Sequence, residues 1–250
     1  MTTIASDRTW PLPNRHWKVA MRWHDLLFLH WPVPADQLRP LIPPDLEIDR
    51  FDGQAWLGFV PFYMTGVRPR YVPSLPGTSR FAEFNVRTYV TAQQKPGVWF
   101  FSLDAAHRLA VWLARRAFHL PYYNARISVH KQADGWIHYA MTRTHRRSDP
   151  VRFRGRYRPV GPAFRAKPGT IDHWLTARYC LYAADCRQRV FRGEIDHAPW
   201  RLAPAEAEVD ENTMADPLGI RLPKTAPLLH FSERTDAVAW TPRRIADRSC

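Results

Sequence analysis

Lysine is scarce in this chain. It occurs only at Lys18, Lys95, Lys131, Lys167 and Lys224, which leaves 31 of the 36 basic residues as arginine. Glycine is sparse too, at 11 of 250 residues. No stretch fits G-x-G-x-x-G or G-x-x-x-x-G-K-[ST], so the dinucleotide and phosphate loops those patterns build are excluded. There is no G-x-S-x-G nucleophile elbow. None of the 11 histidines falls in H-E-x-x-H or another tight zinc spacing, so neither a metal nor a cofactor is expected. The three cysteines, Cys180, Cys186 and Cys250, are an odd set and read as free thiols. No run approaches the roughly 18 apolar residues of a membrane helix. Met1 to Trp10 lacks the apolar stretch of a signal peptide. A cytoplasmic protein without a membrane partner is expected.

Material for a core is abundant. Hydrophobic residues make up 45% of the chain, with 11 Trp, 13 Phe and 9 Tyr, so disorder is not the expectation. The net charge of +13 is spread along the sequence. Nucleic-acid binding favours a clustered basic face and is therefore not expected. The 23 prolines restrict helices to short pieces and suit strands joined by loops.

Trp23–Trp31 is a run of bulky residues that suits a buried strand. Pro34 opens a short helix through Arg39, and Pro43 and Pro44 end it. Asp52-Gly53 between two strand-like runs, 46–51 and 54–62, signals a hairpin. Residues 64–80 read as a loop rich in Pro, Gly and Arg. Phe84–Thr91 and Val98–Phe101 read as strands turned at Pro96-Gly97. Ser102–Phe118 reads as the main helix, with Ser102 as cap, Asp104 in the first turn and Leu109 and Leu113 on the core-facing stripe. Strands follow at 126–131, 136–145 and 151–158, the last alternating Val151, Phe153 and Tyr157 with Arg152, Arg154, Arg156 and Arg158. A helix capped by Thr170 precedes strands at 180–184 and 189–195. Pro204 opens a short helical segment with Glu206 and Glu208, and strands at 227–232 and 237–240 close the chain. The fold expected is α+β: an antiparallel, barrel-like sheet with one main helix and a few short ones. Residues 1–19 are taken as an extension and 20–245 as one domain.

The segments WHDLLFLHWPVPADQLRPLIPPDLEIDRFDGQAWLGFVPFYM, FAEFNVRTYV, LPYYNARISV, LTARYCLY, RGEIDHAPWRL and PLLHFSE resemble the YqjF-like proteins. ADQLRPLIPPDLEID further resembles the start of acetoacetate decarboxylases, β-rich barrels in which a pocket lysine forms a Schiff base and a neighbouring lysine lowers its pKa. The resemblance places that lysine pair at Tyr122 and Tyr123. Tyrosine cannot form an imine, so Schiff-base decarboxylation at this place is chemically excluded.

The resemblance carries a pocket glutamate onto Glu83 and an N-terminal arginine onto His24. It implies a pocket for a small molecule, with Glu83 as acid or base and Tyr122 or Tyr123 as hydrogen-bond donor. Arg68, Arg70, Arg80 and Arg87 are the arginines available to an anionic ligand. An ion pair of Glu83 with Arg80 or Arg87 is the structural alternative, as is ring packing for the tyrosines. The functional reading is a small-molecule-binding barrel, with enzymatic action on a carbonyl or carboxylate compound as its use. The alternative is a non-catalytic basic protein that binds a polyanion or a protein through its arginines. The resemblance also makes a homo-oligomer possible.

Overall fold

A computed structural model describes residues 7–74 and 79–245. Its strands are β1 (Val19–Val33), β2 (Glu47–Ile48), β3 (Ala55–Pro69), β4 (Phe81–Ala92), β5 (Lys95–Ala105), β6 (Tyr122–Lys131), β7 (Ile137–Arg143), β8 (Arg152–Pro159), β9 (Phe164–Arg165), β10 (Cys180–Ala184), β11 (Val190–His197), β12 (Arg201–Asn212), β13 (Leu228–Ala239) and β14 (Arg243–Arg244). The helices are α1 (Ala35–Leu38), α2 (Arg108–Phe118) and α3 (Ile171–Thr176).

The sheet is mixed and curls into a ring, as the α+β expectation requires. Most neighbours are antiparallel, but β5 runs parallel to both β6 and β10. That strand divides the architecture. Its first half meets β10 through Val98 and Trp99, and its second half meets β6 through Leu103–Ala105. At the far side β13 divides likewise, pairing with β12 at His230 and Phe231 and with β11 at Ala237–Ala239. The wall β13-β1-β3-β4-β5 is therefore shared by two closed circuits. One is completed by β6, β7, β8 and β12, giving nine strands, and the other by β10 and β11, giving seven. Closure leaves the wall strands no free edge.

A strand covered on both faces reads as a near-continuous apolar run. That is why Leu26–Leu29 and Leu57–Phe62 carry bulky residues without alternation. Leu27, Leu29, Phe59, Phe84 and Val86 face the nine-strand ring and pack with Tyr139, Phe153 and Tyr157. Leu26, Phe28, Val60 and Phe62 face the other way. The Asp25 bulge, at φ 48°, resets the alternation of β1.

Several local expectations are corrected. Ser102–Ala105 is not helical, because these residues extend β5 between β4 and β6. The helix starts at Arg108, and His107 caps it by accepting from Ala110 N at 3.1 Å. Asp104 instead binds Arg143 through two bonds of 2.7 and 2.8 Å. Leu109 and Leu113 lie on the outer face of α2 at 56% and 50% exposure, and Val111 is the buried residue. The β4–β5 turn sits at Gln93-Gln94, both at positive φ, and not at Pro96-Gly97. Gly97 lies inside β5, where a Cβ would stand 2.7 Å from the Cys180 carbonyl oxygen. Asp52-Gly53 does make a tight turn closed by Phe51 and Gln54, yet β2 pairs with β4 and not with β3. β3 runs on to Pro69, so only part of 64–80 is loop, and 75–78 lie outside the described residues.

Pro204 opens no helix. It lies in β12, where Glu206 and Glu208 stand opposite Arg158 and Arg156. Arg156 binds Glu208, Arg158 binds Glu206 and Arg154 lies 3.5 Å from Asp210. The arginine row of β8 is thus matched by acids along its neighbour. Cys180 is buried and Cys186 exposed, both free, and Cys250 lies outside the described residues.

Candidate functional site

Directly opposed residues of neighbouring strands share a face. Three successive rows can therefore be traced across the wall on its seven-strand side. The first runs Ser232, Leu26, Phe62, Glu83, Ala105. The second runs His230, Phe28, Val60, Asn85, Leu103. The third runs Leu228, His30, Gly58, Arg87, Phe100. Polar side chains recur at the two sides of these rows. Six of their buried atoms have no hydrogen-bond partner among the described residues: Ser232 Oγ, Glu83 Oε2, His230 Nδ1, Asn85 Oδ1, His30 Nδ1 and Arg87 Nε. An unmade bond of this kind costs about 1–3 kcal/mol. Such a concentration on one face is unusual for a structural interior.

The acid end of the wall is Glu83, only 2% exposed. Its carboxyl is pushed up to about 8, chiefly by burial and further by the Asp104 charge, while hydrogen bonds to Tyr122 and Asn85 oppose the shift. Tyr122 is brought to Glu83 by the parallel pairing of β6 with β5. Its phenol is raised well above the ordinary value by burial and by Glu83. A carboxyl that titrates near neutrality beside a phenol is suited to moving a proton in either direction.

The other end is a chain of donors. Arg87 hydrogen-bonds the Tyr89 hydroxyl, which lies 2.6 Å from His30 Nε2. A guanidinium can only donate, so the Tyr89 oxygen accepts from it and the hydroxyl proton goes to Nε2. Burial and the charges of Arg87, His230 and Arg178 hold His30 well below its usual pKa. The neutral ring then carries its proton on Nδ1, as a buried donor with no acceptor. Gly58 makes this approach possible, because a Cβ there would lie 3.0 Å from His30 Cδ2 and 3.4 Å from Arg87 Cγ.

Around these ends lies an aromatic lining. Trp23 stacks on Trp200 at 5.7 Å, and His197 stacks on Tyr179 at 4.7 Å. Burial lowers His197 to about 4. Arg178 covers Tyr89 and Trp174 and is paired with Asp49 at 2.5 Å.

The structure brings Glu83 and Tyr122 together, places Arg87 on the same face four residues along β4, and separates the remaining sequence candidates from them. Tyr123 faces the opposite side of β6, under the Arg143 guanidinium at 4.0 Å. There it lines a cleft of about 470 Å³ with Ser102, Arg147 and Ser148. His24 bonds Thr65 at 2.8 Å and stacks on Tyr63, and Arg80 lies over the same Tyr63 ring. Tyr63 follows Phe62, the partner of Glu83, so this group is turned to the other face. Arg68 and Arg70 stack on Trp17, and Arg68 borders a depression of about 300 Å³ with Met21 and Ser74. Glu83 is paired with neither Arg80 nor Arg87 among the described residues. None of the five lysines belongs to the three rows. Among the described residues no group of three His, Cys, Asp or Glu is placed to hold a metal.

His30, Asn85, Tyr89 and His230 were missed by sequence reasoning. For β4 a signal was available. Glu83, Asn85, Arg87 and Tyr89 alternate with Phe84, Val86, Thr88 and Val90, which is one polar-bearing face and one apolar face.

The model of the DUF2071 family, described as uncharacterized conserved protein, matches residues 20–236. The chain belongs to the DUF2071 family. It is 43% identical over 244 residues to the uncharacterized protein YqjF of Bacillus subtilis (strain 168), covering 98% of this chain and 99% of that one. This DUF2071 chain also resembles solved structures of the acetoacetate decarboxylase-like fold. The enduracididine biosynthesis enzyme MppR complexed with pyruvate matches with TM-score 0.64 and 13% identity, over 97% of this chain and 94% of that one. Acetoacetate decarboxylase from Legionella pneumophila subsp. pneumophila str. Philadelphia 1 matches with TM-score 0.62 and 13% identity, over 96% and 94%. An acetoacetate decarboxylase-like enzyme from Sphingomonas wittichii RW1 gives TM-score 0.62 and 12% identity, over 98% and 100%. At these identities the likeness establishes the fold. No helix among the described residues is long and apolar enough to cross a membrane.

Proposed function

We propose that the seven-strand ring binds a small carbonyl or carboxylate compound and that Glu83 and Tyr122 move a proton on it without a Schiff base. The observation that carries this reading is the buried Glu83–Tyr122 contact, with one Glu83 oxygen left unpartnered among the described residues. The ionised carboxyl of Glu83 takes a proton from the carbon beside a carbonyl. The C–H electron pair becomes the C=C bond of an enolate, and the carbonyl oxygen takes the negative charge. The Tyr122 hydroxyl donates a hydrogen bond to that oxygen. Return of the proton to carbon or to oxygen restores Glu83. The resemblance to MppR in its pyruvate complex and to acetoacetate decarboxylase supports a ligand of this class in such a ring. The lining carries no lysine to make an imine, so the proton and not the amine is the reacting group.

The test is exchange of carbon-bound hydrogen for solvent deuterium in pyruvate, 2-oxobutyrate and acetoacetate, followed by proton NMR. Wild type should accelerate exchange in at least one of them. Glu83→Gln should lower that rate by roughly 100-fold or more, the usual scale of a general base. Exchange that is undiminished in Glu83→Gln, or absent from all three compounds, rules the assignment out.

A further inference from the structure

The arginines in the interior differ in one respect. Arg178 has Asp49 as its counter-ion, and Arg143, on the other side of the wall, has Asp104. Arg87 has none among the described residues. Its protein contacts are the Tyr89 hydroxyl, a long 3.5 Å bond from Nη2 to the Leu175 carbonyl, and the rings of Phe28 and Tyr89 at 5.5 and 5.8 Å. Glu83 lies four residues along the same strand, roughly 13 Å away at about 3.3 Å per residue. The histidines nearest to Arg87 do not supply a negative charge. A half-buried guanidinium with a buried, unbonded Nε–H is expensive to leave unpaired.

His30 faces Arg87 across the missing side chain of Gly58. Its Nδ1–H is the second buried donor without an acceptor. Two donors and one uncompensated positive charge therefore converge on the same row, and no acceptor among the described residues meets them. The rows that separate them from Glu83 hold Asn85 with Oδ1 also unpartnered.

The geometry points to a receptor for a carboxylate: Arg87 and His30, over Gly58, bind the anionic head of a small monocarboxylic acid whose remainder extends along β4 toward Glu83. This rests on the reading of the ring as a ligand site and adds the class of ligand. One unpaired cation matches one negative charge. A phosphate ester or a dicarboxylate would leave a second charge in a dry interior without a partner. An amide or an alcohol would leave the guanidinium uncompensated.

The experiment uses the full chain and named probes: butyrate, 3-hydroxybutyrate and benzoate, with butyramide, benzamide and inorganic phosphate as controls, at roughly millimolar concentration. Thermal shift detects binding to the folded state and calorimetric titration measures it. At least one carboxylate should raise the melting temperature of the wild type, and its amide should not. Phosphate should bind at least roughly tenfold more weakly than the carboxylate. Arg87→Met should weaken the carboxylate by roughly tenfold or more, and His30→Gln by less. Glu83→Gln should leave carboxylate affinity within about threefold, because that group serves the other end of the ligand.

The unliganded variant gives a second readout. A receptor arginine without a counter-ion contributes no stability, so unliganded Arg87→Met should melt at the wild-type temperature or above it. Equal binding of acid and amide, undiminished carboxylate affinity in Arg87→Met, or no stabilisation of the wild type by any carboxylate overturns the receptor. So does a fall of several degrees in unliganded Arg87→Met, which would make Arg87 structural. Loss of deuterium exchange in Glu83→Gln with anion binding intact separates the proton-transfer reading from this one.

Discussion

The two faces of the β13-β1-β3-β4-β5 wall are built by the same strands and differ in what they leave undone. Toward the nine-strand ring the contacts are mainly aromatic. Phe84 lies 4.8 Å from Phe153 and 6.1 Å from Tyr139. The large buried phenols on that side are satisfied, Tyr139 by the Glu83 carbonyl and Tyr157 by the Asp25 carbonyl, both at 2.8 Å. Toward the seven-strand ring the same strands present Glu83, Asn85, Arg87 and His30 with unpartnered atoms. Single-residue alternation thus lets one strand serve an aromatic core on one face and a polar candidate site on the other. Under the proposed function, stability belongs to the first face and chemistry to the second.

Substitutions on adjacent residues of β4 should separate the two faces. Phe84→Ala opens the aromatic side and should cost about 3–5 kcal/mol in urea denaturation. Asn85→Ala, the next residue, removes a group with an unpartnered oxygen and should cost less than about 1 kcal/mol. Comparable losses at both positions would erase the contrast.

The second effect is pH-dependent and belongs to Glu83. Its folded pKa of about 8 stands above the ordinary 4.5, so the folded state holds the proton more tightly than the unfolded chain. Between those values the folded state binds more protons, and stability falls as pH rises. The favourable contribution is complete below about 4.5 and is lost as pH passes through about 8. The fall is a few kcal/mol at most, taking about 1.4 kcal/mol per unit. The groups that face this carboxyl are Tyr122 on β6, Asn85 on β4 and Asp104 on β5. Denaturation from pH 5 to 9 should show the slope in wild type and a shallower one in Glu83→Gln. Parallel curves would remove Glu83 as the source.

The smallest effect is on the outer surface. The Arg156–Glu208 pair is partly exposed on both sides. Arg156→Ala should cost less than about 1 kcal/mol, because solvent screens such pairs. A larger loss would show that the β8–β12 ladder is part of what closes the nine-strand ring.

Much of the strand content was legible, because alternation and bulky runs follow from which faces a strand buries. Val151–Arg158 shows it: Phe153 and Tyr157 are buried and the arginines point out. Ser102-Leu103-Asp104 misled, since a serine followed by an aspartate resembles a helix start. Here tertiary pairing to β4 and β6 and the Arg143 ion pair decided otherwise. Pro204, with Glu206 and Glu208, misled for the same reason, because the partners that make those glutamates strand residues lie some fifty positions earlier. Ring closure through β5–β6 and β5–β10 joins distant segments in parallel and leaves no local mark.

In the site, Glu83 and Tyr122 were reached through resemblance and Arg87 through residue type. His30 was not reached, because a histidine in an apolar run looks structural until Gly58 and Arg87 are seen beside it. Tyr123 was grouped with Tyr122 because they are adjacent, but adjacency on a strand places two side chains on opposite faces.

The most direct test of the central claim, that the polar face of β4 is the ligand site, is a two-dimensional NMR titration of the labelled protein with 2-oxobutyrate. The account predicts shifts concentrated at Glu83, Asn85, Arg87 and Tyr89 and at His30 and Tyr122, with Phe84 and the Tyr123–Arg143 cleft little changed. Shifts centred on Tyr123, Arg143 and Arg147, or none on β4 at saturating ligand, would contradict it.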